Sequence, residues 1–181
     1  LATPCAEFSL LAAPETPCQM PLDPAGFRQA IDLARASYAW TLLDLPVVFH
    51  PASLMALAGA DRVFLVATAE LASLHLARRA VRLIASLGLE RERVEVVVNQ
   101  AGRRDGIGGQ DLEKIIGCPV RLSLPDDRPR LHEAVSLGQP LAGGPFGEAV
   151  EGLAGRLAGM DTKERRSPGA WPGARAVFAG A

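Results

Sequence analysis

The chain has 181 residues, of which 49% are hydrophobic and 22% charged, so it can bury a sizeable core and is not a disordered or fibrous protein. Nineteen lysines and arginines stand against 20 acidic residues, and this balance gives no electrostatic argument for a nucleic-acid partner. Its three cysteines, Cys5, Cys18 and Cys118, have neither the even number of a disulfide framework nor CxxC spacing, so we expect a reducing cytoplasm and no zinc site.

Short apolar runs alternate with longer stretches of helical period, which is the pattern of βαβ units and a mainly parallel sheet. Runs at 8–13, 40–45, 63–67, 94–98 and 120–124 predict strands, and stretches at 24–37, 71–87, 111–116, 128–137 and 146–160 predict helices. None of the apolar runs approaches the roughly 20 residues of a membrane-spanning helix. We therefore expect a three-layer α/β domain without a transmembrane segment.

The stretch 71–87 has the clearest helical period. Its apolar residues recur every three or four positions, so one stripe is predicted to be buried, while Arg78, Arg79 and Arg82 lie outside the stripe. Gly88 follows and suits a left-handed C-terminal cap. The stripe consists of Leu71, Leu74, Ala77, Val81, Ile84 and Leu87.

The first and last predicted helices also have an apolar face. The first follows Asp23, begins with a proline and has Phe27, Ile31, Leu33 and Ala34 near one face. The last has a stripe that is predicted to dock on the sheet. That stripe consists of Phe146, Val150, Leu153, Leu157 and Met160.

The apolar pattern stops after Met160. Residues 161–181 mix charges with two prolines and several glycines, a composition typical of a disordered tail. The sequence therefore predicts a folded domain over residues 1–160 and a disordered tail over 161–181.

Asp44 stands at the end of an apolar strand, in YAWTLLDLP. Ligands of open α/β sheets bind outside the carboxyl ends of the strands, so this aspartate is a candidate Walker B acid. Magnesium prefers hard oxygen ligands and usually keeps several waters, which one carboxylate can satisfy directly or through water. A turn-forming aspartate before Pro46 explains the same pattern equally well.

Two later strand ends carry further candidates. Asn99 follows VEVVV, and its amide offers the donor and acceptor that recognition of a purine edge requires; an asparagine that only forms a turn is the alternative. The third strand ends in LPDD, where Pro125 stops the strand and the two aspartates, Asp126 and Asp127, can cap the next helix.

Other candidate sites are weaker. DGIGG at 105–109 resembles a phosphate loop, but it follows no strand directly and no Lys-Ser or Lys-Thr comes after it, so a flexible turn is the better interpretation. The three histidines lack metal-binding spacing, and no GxSxG motif indicates a serine hydrolase. The arginines of 78–93 are interpreted as solvated helix faces.

The order YAWTLLDLP, ADRVFLVATAELASLHLARRAVRLI, VEVVVNQAG and LPDD resembles the signature of the MinD/ParA-type deviant P-loop ATPases. The DLP, AELASLHLARR and LAAP phrases resemble the CpaE/TadZ-like proteins of Flp pilus assembly. The resemblance covers residues 8–160 and implies a P-loop NTPase fold.

The resemblance also implies roles for the strand-end residues. Asp44 would be the Walker B acid that holds Mg²⁺, Asn99 would lie beside the adenine of ATP, and Pro125 and Asp127 would help line the base pocket. It implies a homodimer promoted by nucleotide, a partner in the pilus secretion machinery and no specific nucleic acid. The alternatives are a ParA-like DNA-partitioning ATPase, a MinD-like division ATPase and an interaction module that binds no nucleotide.

One part of the family pattern is missing. No GKT or GKS occurs in the sequence, whereas the family carries a phosphate-binding Walker A loop after a central strand beside the Walker B strand. We therefore expect the C-terminal part of an ATPase domain, lacking the N-terminal P-loop portion, with an incomplete sheet and no hydrolysis by this chain alone. The Leu1 start favours a fragment.

Overall fold

A computed structural model describes residues 3–5, 8–12, 23–46, 49–101, 108–141, 143–159 and 177–180. The structure has six helices and seven strands in these ranges. The strands are β1 (Thr3–Cys5), β2 (Phe8–Leu10), β3 (Leu43–Leu45), β4 (Val63–Thr68), β5 (Val94–Ala101), β6 (Val120–Pro125) and β7 (Val177–Gly180). The helices are α1 (Pro24–Ser37), α2 (Pro51–Gly59), α3 (Leu71–Ser86), α4 (Gly109–Ile116), α5 (Arg128–Ser136) and α6 (Gly144–Leu157).

Five strands form one sheet in the order β3-β7-β4-β5-β6. Every neighbouring pair in it is parallel, which confirms the predicted α/β fold with a mainly parallel sheet. The strand predicted at 8–13 lies elsewhere, because β2 pairs antiparallel with β1 in a separate two-stranded sheet. Phe8 and Leu11 are exposed there, so this run has the apolar composition of a core strand without its burial.

Helices cover both faces of the sheet, as the three-layer prediction requires. On one face, Val63, Leu65 and Ala67 of β4 pack in a core with residues of α1 to α4. On the other face, Phe64 and Val97 pack with Leu153 of α6. Successive residues of a strand face opposite sides, and β4 is apolar in both registers, so its central place in the sheet follows from its sequence.

Helix α3 packs as its periodicity predicts. Leu74 and Ile84 are fully buried and Val81 is 7% exposed, whereas Arg78 and Arg79 are exposed. Gly88 has φ +81°, the left-handed conformation expected after the helix. The predicted burial is wrong at the two ends of the stripe, since Leu71 is 64% and Leu87 46% exposed. These ends extend beyond the sheet that the helix covers.

Helices α1 and α2 show what the pattern missed. In α1, the Asp23 carboxylate accepts hydrogen bonds from the backbone N–H groups of Ala25 and Gly26, and Phe27 and Ile31 reach the core. Leu33 is 69% exposed, so its predicted place on the apolar face is wrong. Helix α2 (PASLMALAG) was not singled out because it has no polar face from which a helical period is read.

The last helix docks on the sheet as predicted, with Phe146, Leu153 and Leu157 in the core of the second face. Val150 is 41% exposed, and Met160 lies outside the described residues. Residues 161–181 were predicted to be a disordered tail. The structure differs from that prediction at Val177–Gly180, which forms strand β7 inside the sheet. Four residues are too few to give a period, so their pairing depends on a contact distant in sequence.

Polar contacts tie β5 to its neighbours at the amino end of the sheet. The half-buried Glu95 carboxylate lies 3.2 Å from Arg62 Nη1 and 3.2 Å from Arg121 Nε. The Cys118 thiol donates to the Val94 carbonyl at 3.0 Å, and burial raises the pKa of this thiol. None of the helices in the described ranges has both the length and the apolar composition to cross a bilayer.

The burial of Ile84 gives a first prediction. Ile84→Ala should lower the free energy of unfolding by about 2 to 5 kcal/mol, because a cavity replaces a side chain with no exposed surface. Urea denaturation measures the loss, with Arg82→Ala on the exposed face of the same helix as the control within about 0.5 kcal/mol of the parent. An Ile84→Ala loss as small as that of the control would show that this face of α3 is misassigned.

Candidate functional site

The carboxyl ends of all five parallel strands lie on the same side of the sheet, where sequence reasoning places the site. The helices that follow β3, β4 and β6 begin there, so α2, α3 and α5 direct their N-terminal backbone N–H groups toward this edge. Such ends carry a partial positive charge that favours anions. The edge is therefore suited to an anionic ligand, whichever side chains recognise the rest of it.

Asn99 lies at this edge, in an irregular part of β5. It pairs in register with Thr68 of β4, and on its other side the ladder to β6 shifts between Val98 and Ala101. Its Oδ1 accepts the backbone N–H of Gln100 at 2.9 Å, and Gln100 has φ +55°. The side-chain amide thus stabilises a backbone conformation that is rare outside glycine, and its N–H donors have no partner among the described residues.

Thr68 and Ser73 belong to the same edge and were missed from sequence. The Thr68 backbone N–H donates to Ser73 Oγ at 2.9 Å, which joins the end of β4 to the first turn of α3. The signal that could have found the pair is a hydroxyl residue in the first turn of a helix that follows a strand closely. The pair sets the position of Thr68 beside Asn99.

Pro125 and Asp127 lie at the carboxyl end of β6, the strand that pairs with β5. Pro125 ends β6 and pairs with Ala101, two residues beyond Asn99. Asp127 is the N-cap residue of α5, but its side chain makes no capping hydrogen bond; its Oδ2 instead lies 3.4 Å from Arg130 Nη1. Of the two aspartates expected to cap the helix, Asp127 therefore does not, because the nearby guanidinium takes its carboxylate, whereas Asp126 Oδ1 accepts the backbone N–H of Arg128 at 3.3 Å.

Arg130 connects this carboxylate to the start of α6. Its Nη1 donates to the Gly143 carbonyl at 3.3 Å, and its guanidinium lies so close to Gly144 that a Cβ there would collide with it. Gly143 and Gly144 both have positive φ. The absence of a Cβ at Gly144 therefore gives Arg130 the room in which it holds Asp127.

The neighbouring Asp126 has its own partner. Arg128 Nη2 donates to Asp126 Oδ2 at 2.6 Å, and this hydrogen bond lowers the pKa of the Asp126 carboxyl. Asp126 is therefore ionised at neutral pH and paired at the surface, so of the two aspartates in LPDD it is Asp127 that lies inside the edge.

Asp44 lies apart from these residues. It is the second of the three residues of β3 and is exposed, and its carboxylate has no partner among the described residues. Asp44 pairs with Phe178 of β7, Phe178 pairs with Phe64 of β4, and Phe64 pairs with Glu95 of β5. Along the strand direction Asp44 is therefore at the position of Glu95, four residues or about 13 Å before Asn99. Asp44 is at the carboxyl end of its own strand, but the structure does not place it against Asn99, Pro125 and Asp127.

No group of three or more His, Cys, Asp or Glu side chains in the described ranges could hold a metal ion. Magnesium is commonly bound by fewer protein ligands, with one or two carboxylates beside waters and phosphates. In the described ranges Asp44 offers one exposed carboxylate without a partner. Within the segment 105–109, which resembles a phosphate loop, residues 105–107 lie outside the described ranges. Gly108 is the N-cap residue of α4, and Gly109 is the first residue of that helix.

The fold is similar to that of two solved structures. A ParA family ATPase from Chlorobium tepidum TLS matches with a TM-score of 0.69 and 22% identity over 74% of this chain and 57% of that protein. The MinD cell division protein of Aquifex aeolicus matches with a TM-score of 0.68 and 22% identity over 80% of this chain and 64% of that protein. The chain thus has a fold of the MinD/ParA type and spans less than two thirds of either protein.

No protein-family profile matches the sequence. No curated protein matches it significantly. The likeness therefore concerns the fold, and the roles of single residues have to be argued from their geometry.

The contact between Arg130 and Gly144 gives a second prediction. Gly144→Ala should destabilise the protein more than Gly138→Ala. Both glycines have positive φ, +70° and +63°, but a Cβ at Gly138 meets nothing within 4 Å. Gly138→Ala should cost about 1 to 2 kcal/mol for the left-handed backbone. Gly144→Ala should cost at least about 1 kcal/mol more, because Arg130 must leave its hydrogen-bond acceptors.

Urea denaturation of the two variants measures the difference. Equal losses would show that Arg130 does not occupy the space over Gly144. They would also remove the reason for placing Asp127 inside the edge.

Proposed function

We propose that this chain belongs to a nucleotide-dependent positioning ATPase of the CpaE/TadZ type, which acts in Flp pilus assembly through ATP-linked dimerisation. The observation that carries the proposal is the grouping of Asn99, Pro125 and Asp127 at the carboxyl edge of a sheet with the MinD/ParA-type fold. The pilus role, the homodimer and the pilus partners rest on the sequence resemblance.

The proposed roles follow from what each side chain leaves available. Asn99 has free amide N–H donors for a ring nitrogen of adenine, and Pro125 presents a flat apolar surface beside it. The Asp127 carboxylate, held by Arg130, is assigned to the border of the same base site. ATP and Mg²⁺ supply the reactive phosphates and the charge that stabilises the transfer of a phosphoryl group.

Asp44 is assigned to the magnesium ion at the other end of the nucleotide. Three strand spacings separate β3 from β5 in the sheet, which is about 14 Å. The base and the terminal phosphate lie at opposite ends of an extended nucleotide, so a gap between the base pocket and the magnesium acid is expected. Because Asp44 is also set back along the strands, we propose that it acts on the metal through water.

This assignment predicts nucleotide binding without hydrolysis. The chain should show no Mg²⁺-dependent ATP hydrolysis, because no lysine of a GKT or GKS loop holds the phosphates. Adenosine and Mg-ATP should both bind weakly and shift the backbone NMR signals of Thr68 and Asn99. Hydrolysis by the chain, or the absence of any shift at Asn99, would contradict the assignment, and the second result would favour an interaction module that binds no nucleotide.

Two variants should separate the two ends of the site. Asn99→Ala should weaken adenosine and ATP alike, by about tenfold for one lost hydrogen bond in the pocket. Asp44→Asn should leave adenosine binding unchanged and remove the gain in ATP affinity that Mg²⁺ provides. Arg78→Ala, on the exposed face of α3, is the matched control. If Asp44→Asn and the parent respond equally to Mg²⁺, Asp44 is not the magnesium acid.

A ParA-like DNA partner remains the second candidate, because Arg78, Arg79 and Arg82 are all exposed on α3. A basic surface of this kind binds DNA without sequence preference and in a salt-dependent way. Retention on heparin that is lost when the three arginines are replaced by glutamate would support it. Retention that the replacement leaves unchanged would rule out this helix as the DNA-binding surface.

A further inference from the structure

We propose that a cavity between α1, α2 and β3 binds a free α-amino acid with an apolar side chain. The cavity has a volume of about 280 Å³, just below the roughly 300 to 1,000 Å³ of most ligand pockets, so it suits a small molecule. It lies at the amino edge of the sheet, because it is lined by Thr41, which precedes β3, and by Asp61, which precedes β4. Asn99 is at the opposite edge, so the proposal does not depend on nucleotide binding.

The first argument is that small residues near the end of α2 leave room for an apolar group. Ala56 and Ala60 are only 3% and 6% exposed, yet they fill little volume beside the core. Ile31 and Leu43, which pack against that core, and Met55 line the same cavity. An aliphatic side chain placed there leaves water, which is favourable, and the flexible Met55 side chain adjusts to its shape.

The second argument is an enclosed polar atom without a partner. Thr41 Oγ1 is shut off from solvent and has no hydrogen-bond partner among the described residues. Buried polar atoms are almost always hydrogen-bonded, and Thr41 lines the cavity. A hydroxyl both donates and accepts, so a polar group of a bound molecule can satisfy it.

The third argument is the charge of the lining. Arg28, Asp32, Arg35 and Asp61 contribute two positive and two negative charges. Arg35 is held at the end of α2, where its Nη1 donates to the Gly59 carbonyl at 3.2 Å. The other three have no hydrogen bond or ion pair with another described residue. A simple cation meets Arg28 as a like charge and a simple anion meets the two aspartates, whereas a zwitterion complements both signs.

Each part of the amino acid has a place in the cavity. The ammonium group pairs with Asp32 of α1 and with Asp61, which comes two residues after α2. The C-terminal end of a helix carries a partial negative charge, which also favours a cation there. The carboxylate pairs with Arg28, and such charge-assisted hydrogen bonds are the strong ones. The side chain takes the apolar part beside Ile31 and Met55.

The test titrates the full chain with L-leucine and follows the backbone NMR signals of the protein. Leucine should shift the signals of Ile31, Thr41 and Gly59 and leave that of Asn99 unchanged. It should bind at least about tenfold more tightly than isoamylamine, which lacks the carboxylate, or isocaproate, which lacks the ammonium group, because each analogue loses one charged pair. L-Serine, whose side chain is not apolar, should also bind at least about tenfold more weakly.

Variants separate the ends of the ligand. Arg28→Gln should weaken leucine and isocaproate by about tenfold without weakening isoamylamine. Asp61→Asn should weaken leucine and isoamylamine without weakening isocaproate. Thr41→Val keeps the shape of the side chain but removes the hydroxyl, so it should weaken leucine several-fold. Arg79→Gln, on the exposed face of α3, is the matched control and should change none of these affinities.

Three results would overturn the proposal. The first is the absence of a shift at Ile31, Thr41 and Gly59 with leucine in excess. The second is an analogue or serine that binds as tightly as leucine, since the cavity would then recognise a simple cation, a simple anion or no apolar group. The third is an equal loss of leucine, isoamylamine and isocaproate in both charge variants, since the substitutions would then disturb the cavity without removing a specific pair.

Discussion

The pairing of the buried backbone of β4 is the constraint on which the rest of the structure depends. This strand carries apolar residues on both faces, so helices must cover it from both sides and a strand must pair with each of its edges. The three layers, the central place of β4 and the need for a strand between it and β3 all follow from that one requirement. Where β4 ends, Thr68 meets Asn99, so the position of the candidate site is a consequence of the same strand.

Local periodicity predicted the elements that bury a face within one stretch of sequence. The buried stripe and exposed arginines of α3 are a direct reflection of a 3.6-residue repeat, and the parallel order of β4, β5 and β6 follows from apolar runs separated by helices. Asn99 and Pro125 were found because the carboxyl ends of parallel strands meet at one edge. These predictions needed no contact between distant segments.

The remaining features depend on contacts that no local pattern contains. Both aspartates of LPDD were expected to cap α5, but Arg130 takes the Asp127 carboxylate because Gly144 leaves room for the guanidinium. The bulge at Gln100 depends on the register between β5 and β6. The position of Asp44 along the sheet depends on the register of β3 against β7. The four residues of β7 lie in a tail of mixed composition, where no hydrophobic period predicts a strand.

The place of β7 also governs the order in which the chain can fold as it is synthesised. Leu43 pairs with Val177, so a contact in the middle of the sheet joins residues 134 positions apart, 177 minus 43. The ribosome delivers β4, β5 and β6 and their helices long before that strand emerges, and domains form as their segments become available. Such distant pairing is slow and leaves apolar strand edges open in the meantime. Among the described strands, only Val177–Gly180 pairs with the edge of β4 that faces β3, so within this stretch of sequence that edge gains its partner last.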